Sequence, residues 1–334
     1  MLDGNSLLHR AYHAAATGLL LDRAGRPVWA LKGLVLFIAR AAARLRPDAV
    51  LVGFDCPEHN HRKVDYPEYK AQRPEKPDDL VEQLVAAPGL LRAAGFCTVV
   101  HEAYEADDVL ASSAAQARRS GWRSVVVTSD RDAFALIDAS TSVLRIRNGG
   151  LDEAVLLTEA SLVEACGVQS WQYADFAALR GDPSDNLPGV RGFGSATAAR
   201  LLTAFGSVDA AWAALDSGDA EAVRAVRAAV GDSASEYLGS PVMRHVVDRN
   251  RRLMRMRHDL PVPDLETARL PLDLAAMRRA LAARGINLGP SLWALTGGSP
   301  PPPDPEDLPP ALRPWSPRRW RPTREPIPGQ LALF

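Results

Sequence analysis

Short apolar runs that alternate with helical patterns are the feature that most constrains the fold of the first half of the chain. The runs have little polar alternation, which is typical of strands buried on both faces; they lie at residues 48–54, 96–100, 124–128 and 142–146. Amphipathic patterns at residues 30–45, from residue 78 onward and at residues 105–120 indicate helices between them. We therefore predict an α/β fold, in which helices cover both faces of a mostly parallel sheet.

Acidic residues follow the ends of these predicted strands. Asp55 follows the first run, Asp130 and Asp132 follow the third, and Asp3 follows the short apolar stub Met1-Leu2. The carboxyl ends of parallel strands share one edge of a sheet, where ligands bind, so we expect these acids to lie together. The stub leaves two interpretations open: a very short first strand, or a true start that lies upstream.

Further acids stand in the first turn of the helix at 105–120 and in the segment LRGDPSDN; they are Glu105, Asp107, Asp108, Asp182 and Asp185. Each acid taken alone is explained by solvation or by the dipole of a helix start. Together, so many carboxylates at one edge repel one another unless divalent cations neutralise them. Oxygen-only ligands point to Mg²⁺ or Mn²⁺.

A glycine-rich hairpin, LPGVRGFG, follows these last two aspartates and leads into a helical pattern that ends at Gly206. We expect Ser195 to be the N-cap of this helix and Gly206 to end it. Bare backbone N–H groups beside a helix N-terminus suit a phosphate group.

Several motifs resemble those of the 5′-nuclease superfamily, which includes the 5′-to-3′ exonuclease domain of bacterial DNA polymerase I, stand-alone bacterial exonucleases and flap endonucleases. They are YEADDVL, TSDRD and GDPSDNLPGVRGFG. The resemblance implies a PIN-like or Rossmann-like core with two Mg²⁺ or Mn²⁺ ions. The catalytic metal ligands that it implies are Asp3, Asp55, Glu105, Asp107, Asp108, Asp130, Asp132, Asp182 and Asp185. It also implies a helix–hairpin–helix that grips duplex DNA and that holds K⁺ in some family members.

The polar, basic segment 57–77 has two interpretations: a solvated loop, or the arch through which the family passes a single-stranded 5′ end. The resemblance makes Lys70 a catalytic residue as well as a DNA contact. The full set of expected DNA contacts is Arg10, Arg62, Tyr69, Lys70, Arg73, Gly189, Val190, Arg191, Gly192, Gly194 and Ser195.

These patterns divide the chain into a catalytic domain at 1–160, an all-helical helix–hairpin–helix domain at 161–296 and a proline-rich tail at 297–334, which we expect to be disordered. The tail ends in QLALF, which resembles the peptide that binds the bacterial sliding clamp, through Gln330, Leu331, Leu333 and Phe334. The alternative is a frayed terminus. If the peptide binds the clamp, a chain that ends there is a stand-alone nuclease.

The composition of the chain excludes few classes of protein. The chain of 334 residues is 47% hydrophobic and has a net charge of −1, which does not indicate nucleic-acid binding by itself. Its three cysteines are far apart, and no signal peptide or long apolar run is present, so we expect a reduced, cytoplasmic protein without membrane spans. We expect a monomer.

The sequence thus predicts a metal-dependent 5′-3′ exonuclease and 5′-flap endonuclease that acts by a two-metal mechanism on DNA, and on RNA primers paired with DNA. Two alternatives stay open. One is a homologue that binds nucleic acid without catalysis, and the other is a PIN-type ribonuclease, which would lack both the arch and the helix–hairpin–helix.

Overall fold

The computed structural model describes residues 1–14 and 20–301, and Met1–Ser299 forms one compact unit. The predictions for the end of the tail, including QLALF, lie outside the described residues. In the part of the chain that is described, no helix is both long enough and apolar enough to cross a membrane.

A 6-stranded sheet forms the centre of the unit, with the strand order β3-β2-β1-β4-β5-β6. The strands are β1 (Leu2–Asp3), β2 (Leu51–Phe54), β3 (Cys97–Val100), β4 (Ser124–Thr128), β5 (Thr141–Arg147) and β6 (Gly150–Leu157). Neighbouring strands from β3 to β5 pair in parallel, and only β6 is antiparallel to its neighbour. The predicted α/β class and mostly parallel sheet are confirmed.

The first strand has two residues yet occupies the middle of the sheet. Leu2 is paired with Val52 on one side and with Val127 on the other. This position brings Asp3 to the carboxyl edge of the sheet beside the ends of β2 and β4.

The edge strand β6 is an element that the sequence pattern did not indicate. It pairs with β5 across a short turn at Asn148-Gly149, with an irregularity between Arg145 and Arg147. Exposed positions interrupt its apolar pattern, so its periodicity is weak. The Asn-Gly pair is nevertheless a recognised hairpin signal.

Helices surround the sheet and extend beyond it. They are α1 (Gly4–Ala14), α2 (Trp29–Leu45), α3 (His61–Asp65), α4 (Asp78–Ala93), α5 (Ala106–Arg119), α6 (Glu159–Cys166), α7 (Tyr173–Arg180), α8 (Ser195–Phe205), α9 (Val208–Asp216), α10 (Ala220–Val230), α11 (Asp232–Gly239), α12 (Pro241–Met254), α13 (Leu274–Ala283) and α14 (Trp293–Thr296). The helical character predicted after residue 161 is therefore observed.

Two hydrophobic cores lie on opposite faces of the sheet, because successive strand residues point in opposite directions. On β4, Val126 belongs to the core that contains α5 and the helices α7 to α10, whereas Val127 belongs to the core that contains α1, α2 and α4. The second core also includes Met277 and Leu281 of α13. The chain therefore returns to the sheet after the helical region, and both predicted domains share continuous packing.

The end of α8 is as expected, but its start is not. Gly206 is the C-cap, whereas the N-cap is Gly194, and Ser195 is the first helical residue. The prediction that Ser195 caps the helix is wrong, because the extended backbone that an N-cap requires belongs to the preceding glycine.

Candidate active site

Carboxylates from separate parts of the chain line one cavity of about 1100 Å³ at the carboxyl edge of the sheet. They come from the ends of β1, β2 and β4, from the start of α5, and from β7 (Gly181–Asp182), which pairs with β8 (Leu187–Pro188). The predicted acids that line this cavity are Asp3, Asp55, Glu105, Asp107, Asp130 and Asp182, and Glu75 of the segment 57–77 lines it as well. Asp132 and Asp185 lie beside it, around a smaller space that Glu105 and Asp107 also line.

Hydrogen bonds fix the orientation of the carboxylates at the strand ends. Asp3 accepts from the Thr128 hydroxyl at 2.8 Å and from the Ser6 backbone N–H at 2.9 Å. Asp55 accepts from the Ala106 backbone N–H at 2.8 Å and from the Asn5 side-chain amide at 2.9 Å. Donors from α1, β4 and the start of α5 therefore hold these acids in place.

Burial and mutual repulsion raise the pKa values of several of these acids. Burial is the largest cause, and it acts together with Asp55 and Asp130 to raise the pKa of Asp3 to about 7. In the same way, burial and the neighbouring Asp130 and Asp182 raise the pKa of Asp132 to about 8. Burial, Asp130 and Asp3 raise the pKa of Asp107 well above its ordinary value. The site therefore holds more negative charge than its own surroundings neutralise.

The donor set fits divalent cations. All of the acids that line the cavity are oxygen donors of the kind that Mg²⁺ and Mn²⁺ prefer. Asp132 Oδ1 is buried and has no hydrogen-bond partner among the described residues, which is the condition of a ligand atom without its cation. As the side chains stand, no group of three or more His, Cys, Asp or Glu residues within the described ranges is already arranged to hold one metal ion. Mg²⁺ does not need such a group, because it usually binds through one or two carboxylates and keeps several waters.

Basic residues of the segment 57–77 contact the acidic set. Lys70 donates to Glu105, and Arg73 donates to Asp185 at 2.5 Å. Although burial opposes it, Lys70 together with Arg62 lowers the pKa of Glu105. Both Lys70 and Arg73 also line the large cavity, as does Arg10 of α1. The cavity therefore holds positive charge next to its carboxylates.

Asp108 is not part of the carboxylate cluster. It is fully buried, and its two oxygens accept from the Arg62 guanidinium at 2.6 and 2.9 Å and from the Arg257 backbone N–H at 2.9 Å. The prediction that Asp108 is a metal ligand is therefore wrong. One helical step past Asp107, the side chain points away from the cavity, so the sequence spacing alone did not separate the two roles.

Arg62 and Tyr69 are likewise buried rather than presented to solvent. Arg62 also donates to the Leu253 carbonyl at 2.7 Å, and the Tyr69 hydroxyl donates to Glu105 at 3.0 Å. Only 4% of Arg62 and 3% of Tyr69 is exposed, so neither is free to contact DNA or to stack on a base. These two expected DNA contacts are instead structural, and the segment 57–77 is not wholly solvated as its polarity had suggested.

The hairpin after Asp185 depends on a close backbone approach between Gly181 and Gly189. Gly181 has a φ of +72°, and a Cβ there would lie 2.3 Å from the Gly189 nitrogen; a Cβ on Gly189 would lie 2.2 Å from the Arg180 carbonyl oxygen. Val190 is buried, and its N–H donates to the Leu179 carbonyl, so the expected DNA contact through Val190 is not available.

The other hairpin residues are more accessible. Arg191 and Gly192 are exposed, and the Arg191 guanidinium lies 5.0 Å from the Tyr237 ring centroid. Gly194 and Ser195 line the large cavity. The hairpin therefore offers a polar surface next to the carboxylates.

Sequence reasoning missed several residues that line the carboxylate cavity. They are Asn5, Ser6, His9, His13, Ser129, Arg131, Arg145 and Arg180. Arg131 and Arg180 adjoin predicted acids in TSDRD and LRGD, so their position in these motifs was the available signal.

Comparisons with known proteins agree with this arrangement. Family models described as "5′-3′ exonuclease, N-terminal resolvase-like domain" and "5′-3′ exonuclease, C-terminal SAM fold" match residues 1–167 and 168–273. DNA polymerase I of Mycobacterium tuberculosis is 37% identical over 262 residues, which cover 78% of this chain but only 27% of the polymerase. A 5′-3′ exonuclease of Streptomyces coelicolor is 36% identical over 310 residues, which cover 88% of this chain and 98% of that protein.

Solved structures show the same fold at low sequence identity. A T5 5′-exonuclease with bound zinc has a TM-score of 0.60 and 21% identity, covering 76% of this chain and 87% of its own. The catalytic core of Rad2 in complex with a DNA substrate has a TM-score of 0.51 and 16% identity, covering 85% of each chain. From the family models and the Streptomyces relative, the chain belongs to the 5′-3′ exonuclease family.

Proposed function

We propose that the protein hydrolyses DNA phosphodiesters as a 5′-3′ exonuclease and as a structure-specific 5′-flap endonuclease. The observation that carries this proposal is the carboxylate cavity, whose lining includes Asp3, Asp55, Asp130 and Asp182 together with the cationic side chains of Lys70 and Arg73. Carboxylates bind metal ions, and the side chains of lysine and arginine bind phosphates. The cavity is therefore suited to a phosphodiester that contacts metal ions.

Two Mg²⁺ or Mn²⁺ ions are the proposed cofactors, and the proposed ligands are Asp3, Asp55, Glu105, Asp107, Asp130, Asp132, Asp182 and Asp185. When bound, such ions polarise the phosphate and lower the pKa of water, which supplies the nucleophile. The T5 relative is named for its divalent metal ions, which supports this proposal.

The chain's own residues position the phosphate. Lys70 donates to Glu105 and Arg73 donates to Asp185, and a phosphodiester competes for the same donors. When they turn from the carboxylates to the phosphate, they stabilise the negative charge that develops on its oxygens. Arg10, which lines the same cavity, contributes a further positive charge.

The hairpin after Asp185 is the proposed anchor for the duplex. Gly189, Gly192 and Gly194 lack side chains, and the exposed Arg191 is available to a backbone phosphate. K⁺ is the proposed occupant of the hairpin, held by backbone carbonyls.

The biological setting is a further part of the proposal. Removal of displaced 5′ strands and of RNA primers in replication and repair follows from the same chemistry, because the reacting phosphodiester is common to DNA and RNA. The segment Gln330–Phe334 is the proposed ligand of a sliding clamp, and tethering would raise the local concentration of the enzyme at flaps. A monomer suffices for each of these roles.

Site variants test the assignment of the carboxylates. We expect Asp182→Ala to abolish cleavage of a 5′-flap DNA in Mg²⁺ while its affinity for the duplex in EDTA stays near that of the unchanged protein. Asp152→Ala is the matched control, because Asp152 is exposed on β6 and pairs with Arg40. Turnover by Asp182→Ala at the rate of this control would contradict the metal assignment. Binding without cleavage by the unchanged protein would favour the non-catalytic homologue instead.

A further inference from the structure

A second cavity, of about 550 Å³, lies beside the carboxylate cavity and has the opposite charge. Side chains from β5, α6, α7 and the start of α8 surround it, and the cationic ones are Arg131, Arg145, Arg147 and Arg180. None of its lining residues is acidic. Among the described residues, none of these arginines forms an ion pair with a carboxylate. The cavity therefore concentrates positive charge that the rest of the described chain does not neutralise.

Polar atoms in the wall of this cavity lack partners. Arg145 Nε and the Tyr173 hydroxyl are buried, and neither has a hydrogen-bond partner within the described ranges. Leaving a buried polar group unpaired costs about 1–3 kcal/mol, so native structures rarely keep one without a reason. An anion in the cavity would accept hydrogen bonds from such groups.

Two of the guanidinium groups lie near aromatic rings. The Arg145 guanidinium carbon lies 5.7 Å from the Phe134 ring centroid, and that of Arg180 lies 5.6 Å from the Phe176 ring centroid. Arginine stacks on aromatic faces while its N–H groups stay available to an anion. Burial, together with the like charges of Arg131 and Arg147, lowers the pKa of Arg145, which a bound anion would reverse.

The two cavities are adjacent and share part of their lining. Arg131, Arg145, Arg180 and Ser195 line both of them, so a ligand that enters the arginine cavity lies next to the carboxylates. A volume of 550 Å³ is within the usual range of sites that bind small molecules and is large enough for a nucleotide unit. A polynucleotide strand carries phosphates at regular intervals. Two neighbouring phosphates of one strand could therefore occupy the two cavities at once.

We propose that the arginine cavity binds a phosphate group of the substrate strand while a neighbouring phosphodiester lies at the carboxylates. This inference rests on the proposed function. Planar guanidinium groups bind phosphate oxygens in pairs, which suits a diester that must be held in a fixed register. The cavity would therefore set the position of the strand relative to the cleavage site, in addition to the anchor that the hairpin provides.

The test is the affinity for a fluorescently labelled 5′-flap DNA in EDTA, measured by anisotropy from 50 to 200 mM NaCl. The variants Arg145→Gln and Arg147→Gln remove one positive charge each. Because Arg147 is exposed at the end of β5, we expect Arg147→Gln to fold normally even if Arg145→Gln does not. Arg119→Gln is the matched control. Arg119 is the last residue of α5, and Glu105 of the carboxylate cavity is the N-cap of the same helix. Because about 14 residues at 1.5 Å each separate the two ends, Arg119 lies about 20 Å from Glu105.

We expect each cavity variant to weaken binding about tenfold relative to Arg119→Gln and to reduce the slope of log K against log[NaCl] by about one. Affinities and slopes equal to those of Arg119→Gln would overturn the proposal.

Free phosphate is the other source of the same chemistry, and ³¹P NMR of inorganic phosphate at constant ionic strength tests it. One result would assign the cavity to a free anion and overturn the strand proposal. In that result, the unchanged protein broadens the phosphate signal, Arg145→Gln abolishes the broadening, and Arg145→Gln binds the flap as tightly as the unchanged protein does. Binding in EDTA does not depend on cleavage. If the unchanged protein fails to cut DNA while the cavity variants still weaken its binding, the proposed function fails and the phosphate site stands.

Discussion

The buried pair Arg62–Asp108 makes a quantitative prediction about stability. Arg62 is 4% exposed and Asp108 is fully buried, and they share two hydrogen bonds of 2.6 and 2.9 Å. Arg62 also donates to Glu105 and to the carbonyl of Leu253 near the end of α12. We therefore expect that Arg62→Met leaves Asp108 as an uncompensated buried charge and lowers the free energy of unfolding by about 3–5 kcal/mol.

Two further variants separate this effect from a general loss of charge. Arg40→Met breaks an ion pair whose side chains are 48% and 79% exposed, so its cost should be at most about 1 kcal/mol. The double variant Arg62→Met/Asp108→Leu removes both charges together and should recover part of the lost stability, because apolar replacement of a buried pair is often close to neutral while the Leu253 carbonyl still loses its donor.

Urea unfolding in EDTA, followed by far-UV circular dichroism, measures these differences as shifts of the midpoint at a constant m-value. The same preparations are tested for flap binding. If Arg62→Met were as stable as Arg40→Met but bound the flap more weakly, Arg62 would be a DNA contact, and its assignment to the interior would be refuted.

Other expected outcomes concern the hairpin and the acidic site. Gly181→Ala places a Cβ 2.3 Å from the Gly189 nitrogen at a φ of +72°, so we expect a clear loss of thermal stability, whereas Gly89→Ala, with open space around it in the interior of α4, should add about 0.5–1 kcal/mol. Folding raises the pKa of Asp3 to about 7 and that of Asp132 to about 8 from 3.8. The folded chain therefore binds more protons than the unfolded chain between about pH 4 and 8. In EDTA the free energy of unfolding should therefore decrease as the pH rises from about 4 to 8, by at most about 1.4 kcal/mol per pH unit for each group. Urea midpoints at pH 5 and 8 test this, with a smaller difference expected for Asp132→Asn. Mg²⁺ should raise the midpoint more at pH 8 than at pH 5, because protons compete for the same oxygens.

The position of the acids at one edge of the sheet could be predicted, because it follows from the topology of the sheet. In a parallel sheet, residues such as Asp55 and Asp130, which directly follow strands, must meet at the carboxyl edge whatever the details of packing. The motifs placed Asp182 in the same group through its resemblance to known nucleases.

Nonlocal pairing explains what could not be predicted. A run of polar residues indicates a solvated loop, and nothing local in the sequence shows that Arg62 finds a buried partner in Asp108, 46 positions away. Nor does spacing show that Arg145 and Arg180, on different elements, line one cavity. The N-cap at Gly194 was missed for a different reason: glycine and serine are both acceptable N-caps, and only the backbone distinguishes them.

The most direct test of the central claim is the cleavage of a 5′-labelled flap DNA by the unchanged protein, with Mg²⁺ and then with EDTA. Blunt duplex and single-stranded DNA of the same sequence serve as controls. We predict cutting close to the flap junction that requires Mg²⁺ and that is much slower on both controls. Cutting that persists in EDTA, or no cutting of the flap by a protein that binds it, would contradict the claim that this carboxylate cavity is a metal-dependent nuclease site.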